Sequence, residues 1–322
     1  MKDIVAAALA AVIVLPAHAA DAPLGADAAK TLPIADAHFH FMPFMTGADL
    51  LAHMDTNGVR WAGGAGSVLN VGNGSEATTV GAQRTAEIAG ALAKRYIPST
   101  GQAPWVGLKR AGGAEALEDA ASPAFQRALQ VIEQALQNGA RVIGEIHVNT
   151  LRSARSPLLT HRIDADAPTL KALLTLGARY KRPLNIHAQR DSFPGIGRLA
   201  ESNRDGRVVV AHCGSDATAS DVRELMEKNT NVYCDLSYRS PPQIGPRVIG
   251  RSAYDANSLR ADWKSLIEDY PDRFYVGIDD VTSWNEYDAV VHAIRNGLLA
   301  NLSPATAEKV AHRNAVALFG LE

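Results

Sequence analysis

The sequence predicts an α/β fold, a (β/α)8 TIM-like barrel, and three observations point to it. Eight short β-rich runs alternate with longer helical stretches across residues 33–322. Eight such units in roughly 290 residues suit a closed parallel barrel better than an open doubly wound sheet. Histidines and carboxylates also gather at the C-terminal ends of the β-rich runs, which is where such a barrel opens its site.

The chain begins outside that barrel. Met1 and Lys2 precede an apolar run, Ile4 to Leu15, and then Pro16-Ala17-His18-Ala19. A basic start, a short apolar stretch and an Ala-x-Ala ending predict a signal peptide over 1–19 and a secreted or periplasmic mature protein. The run is too short to span a bilayer comfortably. Residues 20–32 are small, polar and Pro-containing and read as a linker, so the barrel domain takes 33–322.

The expected strands are Ile34–His40, Val59–Ser67, Tyr96–Thr100, Arg141–Val148, Pro183–Ala188, Arg207–Cys213, Asn231–Ser237 and Arg273–Asp279. Between them, helices are expected at Ala48–Thr56, where Leu50, Leu51 and Met54 fall at helical spacing, and at Ala77–Arg95. Another covers Pro123–Asn138, with Pro123 in its first turn and Gly139 as its stop. Further helices cover Ala167–Tyr180, Ile196–Asn203, Ala217–Lys228, Asn257–Asp269 and Glu286–Gly297. The last, Pro304–Leu318, takes Ser303 as its N-cap. No GxGxxG opens a helix after the first strand, which removes support for a dinucleotide fold.

Composition narrows the function. Hydrophobic residues make up 47% and charged residues 20%, with a net charge of −2, as in an ordinary globular domain. No basic footprint favours nucleic acid and no polybasic patch favours a membrane surface. The expected partner is a small-molecule substrate, and the chain is compatible with a homo-oligomer. The two cysteines, Cys213 and Cys234, could pair in an exported chain. Both sit in apolar runs, where Cys is often a small buried side chain.

The strand ends carry the chemistry. Asp36-Ala37-His38-Phe39-His40 closes the first, Gly144-Glu145-Ile146-His147 the fourth and Asn185-Ile186-His187 the fifth. His212 ends the sixth, and Gly277-Ile278-Asp279-Asp280 the eighth. Strand side chains alternate faces, so His38 and His40 point the same way and can grip one divalent ion. A single His at a strand end is more often a hydrogen-bonded residue than a ligand. His38, His40, His187, His212 and Asp279 together are harder to explain without a metal, because buried and unpaired they would be costly. A His/Asp set with an open position is what catalytic Zn2+ requires.

This set, Asp36-x-His38-x-His40 with His187, His212 and Asp279, resembles the amidohydrolase superfamily. It is most similar to the amidohydrolase-related branch of small hydrolases and metal-dependent decarboxylases. The closing run Asn314-Ala315-Val316-Ala317-Leu318-Phe319-Gly320-Leu321 also resembles that branch's final helix. The resemblance implies that His38, His40 and Asp279 hold the more buried metal. His187 and His212 would bind a second, or one would join a single site while the other meets substrate. Asp279 stands where the family has its proton shuttle, and His212 would stabilise the oxyanion or bind the second ion.

Glu145 departs from the carboxylated lysine of many binuclear members. A Glu there resembles the branch containing the TatD-type deoxyribonucleases, where it bridges two metals; the bland reading is a carboxylate outside the ligand shell. One or two ions, most naturally Zn2+, therefore fit.

The function expected is a metal-dependent hydrolase using metal-activated water on a small amide, ester or lactone. The alternatives are non-oxidative decarboxylation of a small carboxylic acid and a TatD-like phosphodiesterase or nuclease. Substrate contacts are expected from His147, Arg190, Arg239 and Trp284, with Tyr238 beside them, all near the ends of strands where βα loops set specificity. The two arginines hint at an anionic substrate.

Overall fold

The polar strand ends of the sequence come together because the strands that carry them pair side by side in chain order. The structure, a computed structural model, describes residues 22–66, 76–153, 159–240 and 252–322. The leader expected over 1–19 lies outside these residues. Nine strands are described: β1 (Ile34–Phe39), β2 (Val59–Gly64), β3 (Tyr96–Ile97), β4 (Ser99–Thr100), β5 (Val142–His147), β6 (Leu184–His187), β7 (Val208–Val210), β8 (Val232–Asp235) and β9 (Phe274–Tyr275). All pairings are parallel, in the orders β1-β2-β3 and β4-β5-β6-β7-β8-β9.

The third expected strand is split because Pro98 has no N–H to give the ladder. Its carbonyl still accepts from Arg141 N–H at 2.7 Å. At the other seam Asp279 N–H donates to the His38 carbonyl at 2.6 Å and His40 N–H to the Asp279 carbonyl at 3.4 Å. A parallel bridge between Phe39 and Asp279 accompanies them. These contacts join the last strand run to the first and complete the eight-run ring that the sequence predicts.

Helices cover the outside. Pro123–Gln137 is typical: Ser122 Oγ caps Phe125 N–H, Pro123 occupies the first turn, and Phe125, Ala128, Ile132 and Leu136 face inward. Gly139 follows its C-cap with φ +101°, a conformation that favours glycine. A large apolar cluster packs helices against strands. A second joins Ala35, Ala37, Trp61, Ile97, Val142, Val209 and Tyr275 to Ala315, Leu318 and Phe319 of the C-terminal helix Asn314–Phe319. That helix packs on the start of the strands and leaves their ends for chemistry.

Four readings change or are decided. The segment read as a linker holds a helix, Ala26–Thr31, docked through buried Ala29 and through Leu24 and Gly25 N–H bonds to the Leu302 and Ala300 carbonyls. A further helix, Gln102–Gly112, lies outside those expected, and Trp105, Val106 and Leu108 bury its inner face. Ser303 does sit at an N-cap, but its hydroxyl bonds Glu268 and Thr306 rather than the helix backbone. Cys213 and Cys234 are buried free thiols, not a disulfide. No helix among the described residues is long and apolar enough to cross a membrane.

Candidate metal centre

Glu145, at the end of β5, is the hub of the site. Its carboxylate lies 2.8 Å from His187 Nδ1, 3.3 Å from His212 Nε2, 3.4 Å from His147 Nε2, 3.6 Å from His40 Nε2 and 3.7 Å from His38 Nε2. These residues come from β1, β5, β6 and the turn after β7. Asp279 closes the group from the segment after β9, with oxygens 3.3 Å from His40 Nε2 and 3.5 Å from His212 Nε2. Every metal-ligating residue the sequence proposed therefore converges on one buried point. His147, expected at the substrate, stands in the same cluster.

The backbone bends to place two of them. His212 and Asp279 adopt φ of 53° and 71°, the left-handed region that non-glycine residues enter at a cost. Both follow strands that end earlier than the sequence suggests, so each side chain turns across the mouth instead of continuing the strand. Arg239 holds the His212 turn: its guanidinium donates to the carbonyls of His212, Cys213 and Ala217 at 2.7, 3.1 and 3.0 Å and lies over Trp263.

The outer nitrogens of the histidines are fixed as well. His38 Nδ1 pairs with Asp235 Oδ2 at 2.9 Å and His40 Nδ1 with the Gly66 carbonyl at 2.6 Å. Each His thus turns Nε2 toward Glu145, the arrangement of a metal-ligating imidazole anchored from behind. His187 is reversed, with Nδ1 to Glu145 and Nε2 to Ser153 Oγ at 2.8 Å.

The electrostatics suit a cation. His38 Nε2 is buried with no hydrogen-bond partner. Burial disfavours charge on His38, yet Asp235, Glu145 and Asp279 outweigh it and hold its pKa well above the imidazole range. Burial would likewise raise Glu145, but His187, His38 and His147 pull it well below the carboxylate range. Ligand atoms of His38, His40 and Glu145 lie within 4.8 Å of one another, as do those of Glu145, His147 and His187. Two adjoining donor sets share Glu145. A third group, His38, His212 and Asp235, meets the same spacing, but Asp235 already accepts from His38 and from His212 N–H.

The remaining sequence expectations fare differently. Arg239 is fully buried and spent on main-chain carbonyls, so it does not face the mouth. Arg190 is exposed and its guanidinium lies 3.7 Å from Asp221, facing a groove of about 530 Å³ lined by Phe193 and Leu225, away from Glu145. Trp284 stacks on His53 with ring centroids 4.3 Å apart and meets Phe44 edge-on. Asp36 is a buried carboxylate that accepts from Ile278 N–H at 2.8 Å. Asp235 is the carboxylate that supports His38 from behind. It was legible as a carboxylate ending an apolar run, Val232-Tyr233-Cys234-Asp235, the signal that marked Asp279. Ser153, Ser237 and Arg152 carried no such signal.

Comparisons with known proteins bear on the family and the fold. The amidohydrolase family model matches residues 35–321. Among solved structures, an amidohydrolase from Burkholderia multivorans with bound HEPES is 14% identical and has a TM-score of 0.52, covering 90% of this chain and 100% of that one. An uncharacterized amidohydrolase from Saccharomyces cerevisiae is 9% identical with a TM-score of 0.54, over 89% of this chain and 100% of that one. A probable 2-pyrone-4,6-dicarboxylic acid hydrolase from Acinetobacter baumannii with citric acid bound is 10% identical with a TM-score of 0.50, over 88% and 94%. No curated protein matches the chain.

Proposed function

This chain belongs to the amidohydrolase family, and on that premise we propose that it hydrolyses a small lactone, ester or amide at a zinc centre organised by Glu145. That it is a metal-dependent hydrolase follows from the family. The substrate class, the ion and the residue roles are our reading. One observation carries it: a buried carboxylate within 2.8–3.7 Å of nitrogens from five histidines, one of which, His38 Nε2, makes no hydrogen bond.

His38, His40, Asp279 and Glu145 would hold one ion. Glu145, His187 and His212, with His147 alongside, would hold another. The histidine-rich donor set favours zinc over magnesium or calcium, which prefer oxygen ligands. A divalent ion bound there supplies Lewis acidity to the scissile carbonyl and acidifies a water at neutral pH. Asp279 faces the mouth with both oxygens near the imidazoles; it takes the proton of the attacking water and delivers it to the leaving group. His212, beside Asp279, stands where charge develops on the carbonyl oxygen.

Among the described residues, Arg152 takes the place in this reading that was expected of Arg190 and Arg239. It adjoins Ser153, which touches His187, and its side chain reaches Gln189 and Asp216. With the name of the Acinetobacter relative, this makes a carboxylated lactone the first substrate to try. The leader that the sequence predicts over 1–19 favours action outside the cytoplasm.

The test joins metal analysis of the purified protein to a screen over lactones, esters, amides, phosphoesters and carboxylic acids. We expect bound zinc and product formed by uptake of water. Release of CO2 would assign decarboxylation instead. Full activity in a His38→Ala/His40→Ala variant would overturn the proposal.

A further inference from the structure

Asp235 and Ser237 form a buried relay behind two of the ligand histidines, and hydrogen-bond accounting fixes every proton in it. Asp235 and Ser237 are both 0% exposed. Asp235 Oδ1 accepts from the backbone N–H groups of His212 and Ser237, each at 3.1 Å. Those groups can only donate, so Oδ1 is an acceptor there. Ser237 Oγ also bonds Oδ1, and since Oδ1 is accepting, the hydroxyl must give its single proton to it. With that proton used, Ser237 Oγ has only lone pairs for its other partner, His212 Nδ1, at 2.8 Å. Nδ1 of His212 must therefore carry a hydrogen. The other carboxylate oxygen, Oδ2, meets His38 Nδ1 at 2.9 Å, which donates in the same sense.

We propose that Ser237 is a positioning residue that locks His212 in the Nδ1–H form through Asp235, so that one buried carboxylate orients the metal-facing Nε2 of both His38 and His212. The proposal rests on the metal-dependent reading for its purpose but not for its proton assignment. His38 receives its orientation directly and His212 receives it through a hydroxyl. The two histidines come from opposite sides of the ring seam, β1 and the turn after β7, yet share one anchor on β8. This gives Ser237 a role distinct from packing. Its hydroxyl accepts from one neighbour while it donates to the other, so the direction of its leg depends on the N–H groups that hold Asp235 Oδ1 as an acceptor.

Two variants separate the legs. In Ser237→Ala, His212 Nδ1–H loses its acceptor while the His38–Asp235 bond stays. In Asp235→Asn, the two backbone N–H groups keep the amide oxygen on their side, which turns the amide N–H toward His38 Nδ1. His38 must then present a lone pair at Nδ1 and move its hydrogen to Nε2, the atom that faces Glu145.

The experiment is a long-range 1H–15N correlation spectrum of the full chain labelled at histidine, with and without Zn2+, beside a chelator-competition titration with Zn2+. In the native protein His212 should show a protonated Nδ1 in both states. Ser237→Ala should lose that signature and bind Zn2+ about 10- to 100-fold more weakly. Ser237→Thr, which keeps the hydroxyl, should restore both. Circular dichroism checks that each variant is folded, and if Ser237→Ala is not, the native spectrum alone still decides the proton assignment. A His212 proton on Nε2 in the native protein overturns the proposal, as does a folded Ser237→Ala with native spectrum and native zinc affinity. If the native protein takes up no Zn2+, the metal reading fails separately, because the zinc-free spectrum still reports on the relay.

Discussion

At the residue scale, the site depends on the pairing of a buried carboxylate with imidazoles, and either alone would be unstable there. Five histidine nitrogens and Asp279 surround the buried Glu145 carboxylate, and burying a charge without a partner is costly. Glu145→Gln keeps the shape and removes the charge. It should lower the bound zinc per chain, read by metal analysis, and the sharper loss should fall on the ion between His187 and His212, since Glu145 Oε1 is nearest those two rings. Unchanged zinc content would mean that Glu145 is no ligand. Asp279→Asn removes the proposed proton carrier, and kcat/KM should fall about 10²- to 10⁴-fold. A fall of less than threefold at full zinc content would exclude Asp279 as the base. The residues gathered around Glu145 were legible in the sequence: period-two alternation pairs His38 with His40 and Glu145 with His147, and position at the end of a β-rich run marks His187, His212 and Asp279. Arg239 was not: its number puts it just past a strand end, and only the fold shows that its guanidinium is turned back under the His212 turn.

Elements explain that failure. The sequence marks β-rich runs, but the ladder stops short of them: β7 ends at Val210 and β9 at Tyr275, while the runs continue to Cys213 and Ile278. The residues between are buried and, His212 apart, apolar, so their composition reads as strand although the backbone turns there. In that gap His212, Cys213, Ser215 and Asp279 take left-handed φ values, and a turned backbone needs a new hydrogen-bond partner for each carbonyl. Arg239 supplies it for His212 and Cys213, and for Ala217 just beyond. Arg239→Ala should therefore act on stability, leaving buried carbonyls unpaired at a cost of roughly 1–3 kcal/mol each. Thermal unfolding should show a clear drop in Tm for Arg239→Ala and only partial recovery in Arg239→Lys, whose ammonium lacks the planar fork. A native Tm with a raised KM would return Arg239 to the substrate. Elsewhere the element reading held wherever amphipathic spacing was long enough, as in Pro123–Gln137, and missed Gln102–Gly112, where glycine and proline mask a helix that tertiary burial of Trp105 stabilises.

For the whole molecule, the site exists only when the ring is complete. Its polar residues reach one point from β1, β5, β6 and β8 and from the segments after β7 and β9, separated by as many as 242 residues between Asp36 and the Ile278 that it bonds at the seam. An unfolded chain cannot present His38, Glu145, His212 and Asp279 together, so an ion that binds the folded protein stabilises it by mass action. At a free concentration one hundredfold above Kd that amounts to about 2.7 kcal/mol. In a domain of this size each kcal/mol moves Tm by roughly 2–4 °C, so stripping the metal with a chelator should lower Tm by roughly 5–10 °C. Restoring zinc should recover it, and the recovery should grow with the logarithm of free zinc. The His38→Ala/His40→Ala variant should show almost none of this dependence. Phe319→Ala provides the contrast. Phe319 is fully buried at the opposite end of the strands, so its loss should cost roughly 3–5 kcal/mol while leaving the zinc-dependent increment intact. If the two ends of the barrel proved coupled, with Phe319→Ala also abolishing the increment, the strand ends would owe their geometry to the packing beneath them rather than to the hydrogen bonds around Asp235, Arg239 and the Phe39–Asp279 seam.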